Sequence, residues 1–132
     1  MSFYIEIENI ESFEKITKEI PICVVDFYAP WCGPCKKLAP ELEKSATNNK
    51  NISDLKKENK IQFLKINVDE NQELIEQLTN SKLIEITTIP LICFYKNGTI
   101  LKEQISSSNV EPTMEIVNKL VKEYIETNSN KL

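Results

Sequence analysis

Two thiols, Cys32 and Cys35, stand where an apolar run gives way to a helical pattern, in the stretch Val24-Val25-Asp26-Phe27-Tyr28-Ala29-Pro30-Trp31-Cys32-Gly33-Pro34-Cys35-Lys36-Lys37. The spacing of two thiols is by itself a weak signal. A strand before the pair, a turn holding Gly33 and Pro34 inside it and a helix after it make it specific for dithiol chemistry. A sulfur at a helix start faces backbone N–H groups that have no intrahelical partner and the positive end of the helix dipole. Its thiolate is thereby favoured and its pKa lowered. Cys32 is therefore the candidate nucleophile, and a thiol whose pKa matches ambient pH attacks best. Cys35, one helical turn further in, is the candidate resolving thiol and needs a group to take its proton. Asp26 is the candidate base, because a carboxylate in an apolar strand has its pKa raised toward neutrality by desolvation. The plainer alternative is a carboxylate that finds a hydrogen bond or points to solvent at a strand end.

Composition removes most other chemistries. The chain has 132 residues, the length of one domain (1–132), and enough apolar content to bury a core without metal or disulfide staples. Its net charge of -4 comes from scattered Lys, Asp and Glu, with neither a basic face nor a long like-charge run, so no nucleic-acid partner is expected. No apolar stretch reaches membrane-spanning length and the opening residues lack a secretory signal pattern, so the expectations are no membrane association and a cytoplasmic address. There is no His and no Arg. Ser-His and Cys-His nucleophile pairs, His-containing zinc sites and arginine clamps for phosphate therefore all lack an essential residue. Of the four cysteines, Cys23 and Cys93 lie inside apolar strand runs and read as inert buried thiols. A zinc site built from all four is the sharper alternative, opposed by the wide separation of the second pair. No metal and no cofactor are expected beyond a redox-active Cys32–Cys35 disulfide.

Periodicity supplies the scaffold. Alternation marks 3–7 as a short strand, and Phe13, Ile16 and Ile20 give 11–20 helical spacing with Ser12 as an available cap. Pro21 ends that helix, and the near-continuous apolar run 22–28 reads as a central strand covered on both faces. Leu38, Leu42 and Ala46 carry a helix that Pro40 interrupts by one backbone bond. The polar stretch 48–60 reads as a frayed helix end plus an exposed connection. A strand over 62–68 and a short helix over 71–78 follow. Asn97-Gly98 marks a hairpin between strands 91–95 and 99–105. Pro112 is placed at the start of a last helix with Met114, Val117, Leu120, Val121 and Tyr124 as its apolar stripe, and the tail 127–132 reads as frayed. This order calls for one α/β domain with a mixed sheet and helices on both faces.

The chain resembles the thioredoxin family over nearly its whole length. The resemblance rests on the element order, Asp26 within its strand, Trp31-Cys32-Gly33-Pro34-Cys35-Lys36, Pro40 in the helix, Lys65 within Leu64-Lys65-Ile66-Asn67-Val68-Asp69, the Ile89-Pro90 bond and Tyr95-Lys96-Asn97-Gly98. It implies a thioredoxin fold, a central mixed sheet of about five strands flanked by four helices. It also implies protein disulfide reductase activity on protein disulfide substrates, re-reduction by an NADPH-dependent thioredoxin reductase, and a role in cell redox homeostasis. Gly33 and Pro34 would set the turn and a reducing poise, and Pro90 would be cis, exposing the Ile89 backbone to an extended substrate segment. Trp31, Pro34 and Ile89 would form a flat apolar contact surface. Lys65, on a strand neighbouring Asp26, would pair with it and limit the rise in its pKa.

The segments 48–60 and 78–88 are longer than the family usually has, Leu91 stands where a Thr is common, and Ser106-Ser107-Ser108 replaces a Gly loop. These departures bear on substrate range. They also sustain a reading of another class, a thioredoxin-fold binding module whose long loops dock a partner while the dithiol is incidental. An oxidase or isomerase of the secretory pathway is opposed by Pro34 and by the absence of a signal pattern.

Overall fold

A strand that is apolar on both faces is stable only with a strand on each side and helices above and below it, and Ile22–Tyr28 has both. In the computed structural model, which describes residues 2–129, the elements run β1 (Tyr4–Glu6), α1 (Ile10–Glu19), β2 (Ile22–Tyr28), α2 (Gly33–Thr47), α3 (Lys50–Lys57), β3 (Ile61–Asn67), α4 (Gln72–Thr79), β4 (Leu91–Lys96), β5 (Thr99–Ile105) and α5 (Val110–Ser129). The sheet order is β1-β3-β2-β4-β5, with β2 in the middle. β3 runs parallel to both β1 and β2, whereas β4 is antiparallel to β2 and to β5, so the sheet is mixed. Asn97 (φ 50°) and Gly98 (φ 84°) both take left-handed backbone in the two-residue turn joining β4 and β5.

Strand alternation sorts side chains onto two faces. Ile22 and Val24 of β2 join Phe63, Ile92 and Phe94 against Leu38 and Leu42 of α2, Ile52 and Leu55 of α3, and Val117, Leu120 and Val121 of α5. Cys23, Val25 and Phe27 point the other way, with Leu64, Ile66, Cys93 and Tyr95, against Phe13 of α1 and Leu74 and Leu78 of α4. Asp26, two residues past Val24, therefore belongs to the face that α2 covers.

Several boundaries differ from the pattern reading, each for a local reason. There are five helices where four were expected. The extra one, α3, falls in the polar stretch 48–60, where Ile52 and Leu55 provide one buried apolar pair at i, i+3. Asn49 caps its start by accepting the Ile52 N–H at 3.1 Å. Its end closes through left-handed Asn59 (φ 57°), with Lys60 N–H on Leu55 C=O at 2.8 Å and Asn59 N–H on Lys56 C=O at 3.1 Å. The cap of α1 is Asn9, whose Oδ1 accepts the Ser12 N–H at 2.8 Å, so Ser12 is the donor and not the cap. α5 begins at Val110, which places Pro112 third in its first turn, where a missing N–H costs no bond. That helix continues through Ser129, so 127–129 is ordered helix, and the rest of the expected frayed tail, 130–132, lies outside the described residues.

Candidate redox site at the start of the second helix

The chain leaves β2 at Tyr28 and turns through Ala29-Pro30-Trp31, a turn closed by the Cys32 N–H on the Ala29 carbonyl at 3.1 Å. Cys32 then caps α2. Its backbone is extended (φ -80°, ψ 110°), its carbonyl accepts the Lys36 N–H at 3.2 Å, and its sulfur accepts the Cys35 N–H at 3.1 Å. The sulfur thus occupies the acceptor position that an oxygen fills in an ordinary cap, against the positive end of the helix. Pro34 lies in the first turn, where the absence of an N–H leaves nothing unpaired. Gly33 is not required sterically: a Cβ there would meet nothing within 4 Å, and its φ lies outside the left-handed region. The turn is therefore set by Pro34 and the cap.

Cys32 and Cys35 are joined in a disulfide with a Cα–Cα distance of 5.3 Å. Both residues are only 3% exposed and pack with Ala29 and the partly buried Ile89. The Ile89–Pro90 bond is cis, and the Ile89 carbonyl oxygen lies 3.7 Å from the Cys32 sulfur. Trp31 is 70% exposed beside the pair, and its indole N–H donates to Asp69 Oδ2 at 2.7 Å. Trp31 and Pro34 are thus exposed on either side of Cys32 and Ile89 packs against the pair, with Asp69 as an anchor for Trp31 that strand patterning does not reveal.

Asp26 is 1% exposed, and neither carboxylate oxygen has a hydrogen-bond partner. Burial raises its pKa from 3.8 to about 7; Lys65 pulls it down and Glu6 pushes it up. The carboxyl therefore changes protonation near neutrality. Lys65 sits directly opposite Asp26 in the β2–β3 register, yet no ion pair joins them among the described residues. Its ammonium lies over two rings instead, 4.9 Å from the Tyr4 centroid and 4.5 Å from that of Tyr28. The expected Asp26–Lys65 pair is a through-space influence rather than a contact. Cys35 and Lys65 line one shallow depression together with Tyr28 and Pro40, and Asp26 is buried within the same face of the sheet.

The other two thiols stand apart. Cys23 and Cys93 are unpaired and fully buried on the α1/α4 face, in a different cluster from the dithiol, and burial pushes both thiols up to about 12. The four sulfurs do not converge, and no group of three or more metal-ligating side chains occurs among the described residues. The long segment after α4 is anchored by Ile84, which is buried, and by Gln104 Nε2 donating to the Leu83 carbonyl at 2.7 Å. It ends at Thr88, whose hydroxyl is 2.7 Å from that of Ser106 and whose neighbour Ile89 packs on the dithiol. No helix among the described residues is long and apolar enough to cross a membrane.

Comparison with known proteins agrees with this geometry. A family model described as Thioredoxin matches residues 4–122. The chain is 34% identical over 109 residues to the thioredoxin of Bacillus subtilis, covering 83% of this chain and 90% of that protein. It is 34% identical over 92 residues to that of Malassezia sympodialis, covering 70% and 75%. The crystal structure of the Malassezia protein superposes with a TM-score of 0.70 at 26% identity, covering 92% of this chain and 96% of that one. Fasciola hepatica thioredoxin gives 0.68 at 26%, covering 87% and 97%. With the sheet order, the cis proline and a disulfide capping the helix all in one place, and with the family model spanning most of the sequence, the chain belongs to the thioredoxin family.

Proposed function

We propose that this chain reduces protein disulfides by dithiol–disulfide exchange, with Cys32 as the attacking thiol and Cys35 as the resolving one. The observation that carries the assignment is the Cys32–Cys35 disulfide at the cap of α2, with the first sulfur in the field of the helix start and beside an open surface. In the reduced protein the Cys32 thiolate attacks one sulfur of a substrate disulfide, forming a mixed disulfide and releasing one substrate thiolate. Asp26 takes the proton from Cys35, whose thiolate attacks the Cys32 sulfur. The mixed disulfide breaks, the second substrate thiolate leaves and takes up a proton, and two electrons have passed to the substrate. A pKa near 7 lets Asp26 accept that proton and return it within the physiological range.

Trp31, Gly33, Pro34, Ile89 and Pro90 form the substrate surface in this reading. The Ile89 N–H and C=O make no backbone hydrogen bond among the described residues, so an extended substrate segment has partners there. An NADPH-dependent thioredoxin reductase restores the dithiol, and the protein acts as a cytoplasmic monomer. Two unpaired buried thiols and a Pro in the redox turn support a reducing compartment. The binding-module alternative is not favoured, since the cysteines are paired at the site where the chemistry requires them.

The test is reduction of a model protein disulfide, measured with the redox potential. Thioredoxins poise near about -270 mV and protein disulfide isomerase near about -180 mV, a gap of about 4 kcal/mol for two electrons. The chain is expected on the thioredoxin side, and an isomerase-like potential overturns the assignment. Asp26→Asn is expected to slow release of reduced product more than initial attack, and equal slowing of both steps removes its assigned role.

A further inference from the structure

Three charged residues lie in one row across the sheet: Glu6 opposite Lys65 in the β1–β3 register, and Lys65 opposite Asp26 in the β2–β3 register. Tyr4 and Tyr28 fall on the same side of their strands as Glu6 and Asp26, two residues away in each case, and so flank that row. Both are fixed at the hydroxyl. Tyr4 donates to the Ala39 carbonyl of α2 at 2.6 Å, and Tyr28 donates to Glu6 Oε1 at 2.7 Å. Both phenols are held above their ordinary pKa, chiefly by burial and further by nearby carboxylates, so they stay neutral and their hydroxyls remain donors. The Lys65 ammonium sits between the two ring faces, at 4.9 and 4.5 Å, within the range in which ring quadrupoles attract a cation. A free lysine beside a buried carboxylate has two simpler fates, pairing with it or extending into water. Here it does not pair, and its ammonium is held over the two rings.

We propose that Tyr4 and Tyr28 are positioning residues that clamp the Lys65 ammonium beside Asp26 without contact, and so set the pH at which Asp26 exchanges its proton during the resolving step. The proposal rests on the reading of Asp26 as the base for Cys35. The surroundings leave few other influences. β1 contributes Glu6 and Tyr4, β2 contributes Tyr28, β3 contributes Lys65, and α2 contributes Cys35, Lys36 and Glu43; the β4 neighbour of Asp26 is the apolar Ile92. Thr113 of α5 is buried on its helix but carries no charge. Lys65 is the member of this set whose position the two rings decide. Without a ring the ammonium loses the cation–π attraction that seats it, and full hydration is favoured over a distant attraction to the carboxyl. The cation then moves away from the carboxyl.

The experiment follows the Asp26 carboxyl carbon by NMR titration in reduced protein, alongside the pH profile of product release. Tyr28→Leu is expected to raise the Asp26 midpoint by about half a pH unit, a roughly threefold smaller ionised fraction at a fixed pH below it. Tyr28→Phe, which keeps the ring and loses the Glu6 contact, is expected to hold the midpoint. Lys65→Met sets the upper bound of the rise and remains informative should the Leu variant fail to fold; a midpoint unmoved by its loss overturns the proposal. So does an unmoved or lowered midpoint in Tyr28→Leu, or an equal shift in Tyr28→Phe, which would transfer the effect to the hydroxyl. If instead the carboxyl midpoint moves as expected while the product-release profile ignores both Tyr28→Leu and Asp26→Asn, the clamp stands and the reading of Asp26 as the base fails.

Discussion

The two faces of the sheet each bury sulfur, and only one face makes it reactive. Cys23 and Cys93 lie within β2 and β4, among Val25, Phe27 and Tyr95, where burial raises both thiols and the Cys23 S–H faces only carbonyl oxygens, those of Ile16 and Ile20 at 3.8 Å. Cys32 and Cys35 stand at a helix start, where the Cys35 N–H donates to the Cys32 sulfur and the exposed Trp31 and Gly33 flank it. Residue type is the same in all four positions. The contrast shows that thiol chemistry here is conferred by backbone termini and access.

The sharpest way to break this contrast is Cys32→Ser, expected to reduce turnover of a protein disulfide to the uncatalysed background while Cys23→Ala keeps it. Next comes alkylation of the reduced protein. With thiols near 12, Cys23 and Cys93 are ionised to only about one part in 10⁵ at pH 7, so mass spectrometry is expected to find label on Cys32 and none on those two until the protein is denatured. Comparable labelling of all four in folded protein erases the distinction.

A third prediction concerns the carboxylate under the reactive face. The folded pKa of Asp26, about 7, lies above its unfolded value of 3.8, so the neutral form is preferred in the fold. Its contribution is fully present below about pH 4 and is lost as pH rises through 7. Asp26→Asn is therefore expected to be more stable than the parent at pH 8, by a few kcal/mol and at most about 4, and to lose that advantage as pH falls toward 4. A pH-independent difference in urea unfolding would contradict it. The smallest effect is on the inert face. Cys93→Ala leaves a small void and is expected to cost about 1 kcal/mol in the same unfolding experiment without changing the redox potential.

The reactive face was legible where the signal was local. The apolar run 22–28, the cysteine pair and the Asn97-Gly98 turn state their conformations in a few adjacent residues. α3 was not legible because it shows only Ile52 and Leu55 in a stretch of Lys and Asn, too few for a periodicity, although Asn49 and Asn59 do carry the cap chemistry that bounds it. Ser12 reads as an available cap and Asn9 fills that place, because a one-turn shift of the helix start leaves the apolar stripe of α1 unchanged. The placement of Lys65 needed the third dimension. Strand order puts it beside Asp26, but whether it pairs, extends or stacks depends on Tyr4 and Tyr28, residues far from it in sequence whose rings read as ordinary strand aromatics. Asp69 escaped for the same reason, being fixed to Trp31 across 38 positions.

The margins of the sheet have a consequence for the proposed exchange with protein disulfides. One border strand, β1, is only three residues long, and the other, β5, displays Lys102 and Glu103 to solvent and meets β4 through an irregular register. Short or charged borders discourage uncontrolled strand addition and the aggregation that follows. In the proposed exchange, an extended substrate segment would then find its backbone partner at Ile89, whose carbonyl lies 3.7 Å from the Cys32 sulfur.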